Sequence, residues 1–264
     1  MPELAEVEYY RKQWDEGLGA KIVAVELHAR KRVFRGSNTR ALREQLIGSR
    51  FTESTARGKQ MLFRFSGANW LGLHLGMSGT LRTERADFTS GKHDHLVLRQ
   101  TKTALIFRDP RLFGRVRFHR GEAAPAWWST APEIASDDFS GRYVADFLKR
   151  HSRAPIKAVL LLQNGFPGVG NWMADEILWR ARIAPETRAA ALSLPQLSAL
   201  RRATRFVSRE GMRIIGNDFS DPPPSWLIHQ RWKTGGVCPR HKRPLARATI
   251  GGRTTTWCEK CQPK

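Results

Sequence analysis

Two groups of residues in this 264-residue chain have types and spacings that could do chemistry. The first is the opening segment, Met1-Pro2-Glu3-Leu4-Ala5-Glu6. A methionine before a small residue is commonly removed, and Pro2 would then carry a free secondary amine. Such an amine can attack an aldehyde-like carbon and form an iminium, a covalent route normally associated with lysine. An α-amino group titrates near ~7.7–8.0, so part of it is neutral at about pH 7, and the positive end of a helix would enlarge that part. Glu3 follows directly, within reach for acid/base work. The same residues also make an ordinary helix start, with proline in the first turn followed by Glu3 and Glu6. Taken alone, the segment favours the structural reading, and a second segment is needed to decide.

The second group is Cys238, His241, Cys258 and Cys261, which read C-x2-H, sixteen residues, then C-x2-C, and use all three cysteines of the chain. Each pair can chelate from a tight turn, and the intervening length suffices for a β-hairpin that brings the pairs together. Three thiolates and an imidazole suit tetrahedral Zn²⁺, and four protein ligands leave no open position, so one structural zinc per chain is expected. The competing reading is a chance CxxC redox disulfide with an unrelated cysteine and histidine nearby. A finger this small lacks a sufficient core, so metal should supply its folding free energy. Arg243, Arg247 and Arg253 lie between the ligand pairs, an arrangement suited to setting arginine against phosphate.

The elements that must position these groups fall into blocks. Residues 21–29, 60–66, 70–76, 95–99, 103–108 and 114–119 are short, β-branched or aromatic and partly alternating, with turn residues between them. Behind one leading helix they predict an antiparallel sandwich or barrel. Residues 121–139 shift abruptly to Ala, Pro, Ser and acids, which marks a linker. Beyond it, about 140–150, 154–163, 170–182 and 194–212 carry apolar residues at helical spacing. The expected architecture is α+β: an N-terminal domain over 1–122, a linker over 123–139, a helical domain over 140–230 and a finger over 231–264.

Composition narrows the partners. Hydrophobic residues make up 41% of the chain, which excludes a disordered polymer. No apolar run approaches the ~20 residues of a membrane-spanning helix, and the start lacks the basic and apolar regions of a secretory signal. A soluble cytoplasmic protein is expected. The 45 Lys and Arg against 24 Asp and Glu give a net charge of +21, the signature of a polyanion partner, with nucleic acid ahead of an anionic membrane surface.

The motifs, in their order, resemble the formamidopyrimidine-DNA glycosylase/endonuclease VIII family of base-excision repair enzymes. The resemblance runs through PELAEVE at 2–8, RGKQMLF at 57–63, HLGMSGTLR at 74–82, KHDH at 92–95 and RDPRLFGR at 108–115. It continues through APEIASDDF at 131–139, IK at 156–157, GVGNWMADEIL at 168–178 and the finger with GGRTTTWC. It implies an N-terminal β-sandwich, a helix–two-turns–helix domain and a C-terminal zinc finger, with damaged double-stranded DNA in the cleft between them. It implies a monomer, associated with the nucleoid through DNA, acting as glycosylase and AP lyase on oxidised bases. By the same resemblance Pro2 is the nucleophile at the sugar C1′, Glu3 the acid/base that assists ring opening and Glu6 its supporting carboxylate. Lys59 corresponds to a phosphate-contacting lysine, Lys157 and Asn171 to further backbone contacts, and Arg253 to the finger's essential arginine. Met77, Arg111 and Phe113 match the trio that fills the hole left by an extruded nucleotide, whose lost stacking and pairing cost a few kcal/mol.

Departures from the family pattern are His241 for a usual cysteine, Ala5 for a common proline, and the unusual GNWMADE. The segment 212–231 is short and stiffened by three consecutive prolines where oxidised-purine enzymes carry a longer Gly/Thr-rich loop, so the preferred lesion stays open. The alternative reading is a catalytically silent protein that binds damaged or branched DNA on the same scaffold. Retention of Pro2 and Glu3 speaks against it.

Overall fold

The computed structural model describes residues 1–128 and 131–263; Ser129 and Thr130, within the expected linker, and Lys264, at the end of the expected finger, lie outside the described residues. The chain divides into two compact units, one of Met1–Pro2 with Glu6–Thr130, the other of Glu3–Ala5 with Ala131–Lys264. The first helix, α1 (Leu4–Lys12), therefore contributes to both.

The first unit is a β-sandwich of two four-stranded antiparallel sheets. One sheet orders β1 (Ala24–Leu27), β6 (Asp94–Arg99), β7 (Thr103–Arg108) and β5 (Thr80–Arg85) side by side. The other orders β2 (Phe51–Arg57), β3 (Gln60–Phe65), β4 (Asn69–His74) and β8 (Arg115–Arg120). Leu96, Leu98, Leu105 and Phe107 of the first sheet share a core with Phe51, Phe63, Phe65, Leu71 and Leu73 of the second. Val97, Ala104 and Ile106 point the opposite way and are covered by Phe88. Coverage of both faces explains why β6 and β7 read as continuous apolar runs rather than alternating ones. Trp14, just after α1, is fully buried against Phe63 at 4.8 Å and donates its indole N–H to the Ile106 carbonyl.

Two strands and one helix escape a reading by periodicity. β2 and β5 are edge strands with mostly polar, partly exposed side chains, so the apolar alternation that marks the inner strands is absent. Helix α2 (Thr39–Leu46) buries only Leu42 and Leu46 and is announced chiefly by Asn38, whose side chain accepts the Ala41 N–H.

The second unit carries helices α3 (Gly141–Arg150), α4 (Ile156–Leu160), α5 (Asn171–Ala181), α6 (Leu194–Asp218) and α7 (Ile228–Arg231), with a hairpin of β9 (Ala246–Ile250) and β10 (Arg253–Trp257). Helix α5 is buried on nearly every side, which is why it carries no polar stripe. Helix α6 opens on a capping box of Ser193 and Gln196. Among the described residues no helix is long and apolar enough to cross a membrane.

Candidate active site, DNA-facing residues and metal centre

The site is built on the loop before α5. Gly168 adopts φ +86°, a conformation that a side chain would strain, and its carbonyl accepts the Leu4 N–H at 3.0 Å. Gly170 lies so close to Glu3 that a Cβ there would sit 2.2 Å from the Glu3 carboxyl carbon. Those two glycines let Glu3 and Leu4 lie against the N-terminus of α5. The Glu3 carboxylate, 2% exposed, accepts the Trp172 N–H on one oxygen at 3.0 Å and the Met173 N–H on the other at 3.1 Å. Both donors belong to the first turn of α5, where backbone N–H groups lack helical partners and the macrodipole suits a carboxylate. A fixed acid thus stands one peptide bond from Pro2, which is itself half-buried. Glu6 is half-buried in the first turn of α1.

Behind Asn171 lies a buried charge network. Lys157 was expected on a DNA phosphate; instead its side chain is fully buried and Nζ donates to the Asn171 carbonyl at 2.8 Å and to Asp175 Oδ1 at 2.5 Å. Burial lowers the Lys157 pKa, against the opposing pull of Asp175. The cation is paired inside the unit, against the Asn171 carbonyl and the Asp175 carboxylate. The other Asp175 oxygen receives the Arg231 guanidinium at 2.6 Å and the Thr256 N–H at 3.2 Å. Asn171 Nδ2 donates to the Thr254 carbonyl at 2.8 Å. Asn171 and Asp175 therefore clamp β10, the strand that begins with exposed Arg253, onto α5. Removing the carboxylate from such a buried network would leave two uncompensated cations, which costs ~3–5 kcal/mol in comparable cases. Nothing in the apolar periodicity of α5 signals this, since Asp175 occupies a position that reads as core.

The segment after α6 is also fastened to α5. Glu176 is fully buried and accepts the Leu227 N–H at 2.7 Å and the Arg180 Nε–H at 2.7 Å. Arg180 in turn lies 4.7 Å from the Trp226 ring and 4.6 Å from the Phe206 ring.

In the sandwich unit, Lys59 sits beside Gly58 (φ +59°) between β2 and β3 and is only 8% exposed. Met77 and Phe113 are 38% and 42% exposed, and the Arg111 guanidinium lies 5.0 Å from the Phe113 ring. Met77 follows β4 and Phe113 precedes β8, and those strands are hydrogen-bonded neighbours, so the sheet brings the trio together. His74, at the end of β4, accepts the Gly76 N–H at 3.0 Å. Burial and the nearby Lys59, Arg117 and Arg35 push its pKa down to about 4. His74 lines a cavity of about 230 Å³ with Arg35, Arg115 and Arg117, a basic group that single strands of sequence did not announce because its members come from three separate elements.

The finger's donors converge. The Cys238 and Cys261 sulfurs lie 3.7 Å apart, and His241 Nδ1 lies 3.2, 3.9 and 4.0 Å from the sulfurs of Cys261, Cys258 and Cys238. A tetrahedral zinc with bonds of ~2.3 Å to sulfur sets donor atoms ~3.5–3.8 Å apart, so the residues fit the metal. The Trp179 indole N–H points at Cys238 Sγ from 3.4 Å, a second-layer donor of the kind that supports a thiolate. Burial and the crowding of Cys238 and Cys258 push the Cys261 thiol up to about 11, a balance that a divalent cation among the donors would reverse.

Comparison with known proteins agrees with this geometry. Residues 1–116 match the family described as formamidopyrimidine-DNA glycosylase N-terminal domain, and residues 130–221 its H2TH domain. The formamidopyrimidine-DNA glycosylases of Syntrophomonas wolfei and Roseiflexus sp. are 32% and 33% identical to this chain, each over 99% of it and 100% of the relative. Among solved structures, the Lactococcus lactis formamidopyrimidine-DNA glycosylase bound to DNA containing an AP site superposes with a TM-score of 0.88 at 27% identity, covering 99% of this chain and 100% of that one. The same enzyme with DNA containing an oxidised pyrimidine gives 0.90 at 27% identity over both whole chains. A β-sandwich, an H2TH helical unit and a Cys/His cluster define a class of DNA-repair protein. This chain belongs to the formamidopyrimidine-DNA glycosylase family.

Proposed function

We propose that this base-excision repair glycosylase works through the amine of Pro2, freed by removal of Met1, on damaged bases in duplex DNA. The observation that carries the reading is the Glu3 carboxylate, fixed by the N-terminus of α5 beside that amine. Pro2 nitrogen attacks the sugar C1′; the bond from C1′ to the base breaks and the base leaves with a proton. Glu3 moves protons at the sugar ring oxygen as the ring opens, with Glu6 supporting it. The resulting iminium draws electrons from C2′, so loss of the C2′ proton expels the 3′ phosphate, and a further elimination expels the 5′ phosphate. Pro2 is released by hydrolysis, so the sequence balances without an outside oxidant or reductant.

The remaining residues bind. Lys59, Asn171 and Arg253 contact backbone phosphates, and Lys157 acts through Asn171. Met77, Arg111 and Phe113 occupy the space of the extruded nucleotide, an apolar wedge with a cation facing the orphaned base. A structural zinc held by Cys238, His241, Cys258 and Cys261 fixes the turn that carries Arg253. Oxidised bases are the substrate class we favour, on the likeness to the enzyme solved with an oxidised pyrimidine. The domains run over 1–122, 140–230 and 231–264 with the linker between.

Trapping tests the chemistry. Borohydride with DNA containing an abasic site should reduce the iminium to a covalent adduct, and Pro2→Gly should abolish or greatly weaken it. Intact mass establishes removal of Met1 in the same sample. A demethionylated protein that binds the DNA but gives no adduct is a silent damage binder, and the catalytic reading fails.

A further inference from the structure

The two loops that carry the exposed trio are fastened to each other by one buried carboxylate. Asp109 is fully buried. Its Oδ1 accepts the Ser78 hydroxyl at 2.7 Å and the Arg111 N–H at 3.3 Å, and its Oδ2 accepts the Gly114 N–H at 2.7 Å. Ser78 is the residue after Met77, and Arg111 and Gly114 bracket Phe113. One side chain therefore reaches both loops, which are more than thirty residues apart in sequence.

The loops also meet through their backbones. Gly76 adopts φ +63°, and a Cβ there would lie 2.4 Å from the Phe113 carbonyl carbon and 2.6 Å from the Gly114 nitrogen. Leu112 takes φ +58°, a conformation that costs a non-glycine residue of order ~1 kcal/mol or more and persists only where surroundings enforce it. Asp109 is anchored from below, its N–H donating to the His93 carbonyl and its carbonyl facing His95 Nε2, each at 3.0 Å. Exposed apolar tips thus stand on a buried carboxylate. Charge-assisted bonds of this kind are the stronger class, and a buried carboxylate that loses one is costly.

We propose that Asp109 is a positioning residue that locks the Met77 loop and the Arg111–Phe113 loop into a single rigid wedge. This rests on the glycosylase reading above. A wedge must hold its shape while the stack opens; loops free to move would lose conformational entropy on insertion, and preorganisation removes that cost. The prediction is specific to duplex DNA, because a single strand offers no stack to fill.

The test compares wild type, Asp109→Asn and Ser78→Ala on two substrates. The first is a duplex with an abasic analogue opposite 2-aminopurine, whose fluorescence on binding reports insertion and needs no chemistry. The second is single-stranded abasic DNA with borohydride trapping. Asp109→Asn should weaken the fluorescence-detected insertion by about ten-fold or more, and trapping by at least about ten-fold less than that. Ser78→Ala, which removes one arm only, should move in the same direction by less. Equal losses in both assays, or insertion at the wild-type level in Asp109→Asn, would overturn the proposal. Should Asp109→Asn lose its cooperative thermal transition, Ser78→Ala decides by the same criterion. A wild type that never traps counts against the catalytic reading alone, since the insertion assay still answers for the wedge.

Discussion

At the scale of single residues, the proposed chemistry would depend on close approaches that leave no room for substitution. Gly170→Ala would drive a methyl group into the Glu3 carboxyl, which two backbone N–H groups hold in place. We expect base excision to fall by about ten- to a hundred-fold, with a stability loss of ~1–3 kcal/mol from overpacking. Single-turnover excision and denaturant unfolding measure the two effects separately. His74 gives a pH signature. Its folded pKa of about 4 lies below the ordinary value of 6.5, so the unfolded chain takes up the proton first as pH falls. The stability that neutral His74 contributes is full above pH 6.5 and is lost progressively towards pH 4. By about pH 5 the loss should reach up to ~2 kcal/mol, and His74→Asn, which keeps an acceptor for the Gly76 N–H, should remove that component. Thermal unfolding of both proteins at neutral and mildly acidic pH checks this; equal acid sensitivity would show that His74 is not its source.

At the scale of elements, the hairpin β9–β10 is the part expected to rely on metal as well as on packing. Its anchors among the described residues include the Asn171 and Asp175 bonds to β10, the Thr256 hydroxyl on the Arg231 carbonyl, and a small cluster of Trp179, Leu227 and the cysteines. Chelation should therefore unfold the hairpin while the sandwich keeps its strands, because structural zinc supplies the folding free energy of such modules. Arg253 leaves its place with the hairpin, and DNA affinity should drop with it. Binding measured before and after exposure to a strong chelator, alongside circular dichroism, checks the order of events; full binding by demetallated protein would remove the finger from the interface. The stiff segment after α6 behaves differently, since Glu176 and Arg180 fasten it to α5 without metal.

At the scale of the whole molecule, a net charge of +21 dominates encounters with DNA. Each phosphate neutralised releases counterions, so affinity for undamaged duplex should fall steeply with salt, by roughly 10³-fold or more between about 50 and 200 mM if some six phosphates are contacted. Titrations across that range measure the slope. A flat response would mean that the lysines and arginines are a solvated surface and not a footprint.

The convergence of the Cys/His cluster, the strand-then-helix order and the family motifs were legible in the residues themselves, because chelation needs fixed spacings and buried strands and helices need apolar periods. Edge strands β2 and β5 were not, since exposure frees them from that pattern. The buried charges were not either. Lys157 reads in sequence as a cation available to phosphate, and only packing reveals that Asp175 and the Asn171 carbonyl consume it. Asp109 reads as the start of an Asp-Pro turn, and only the pairing of β4 with β8 sets Ser78 and Gly114 around its carboxylate. Sequence by itself determined which chemistries were present, because those reside in side-chain type and local spacing. Tertiary structure alone decided which charged groups stay exposed and which hold the framework, because desolvation and pairing come from residues distant in the chain.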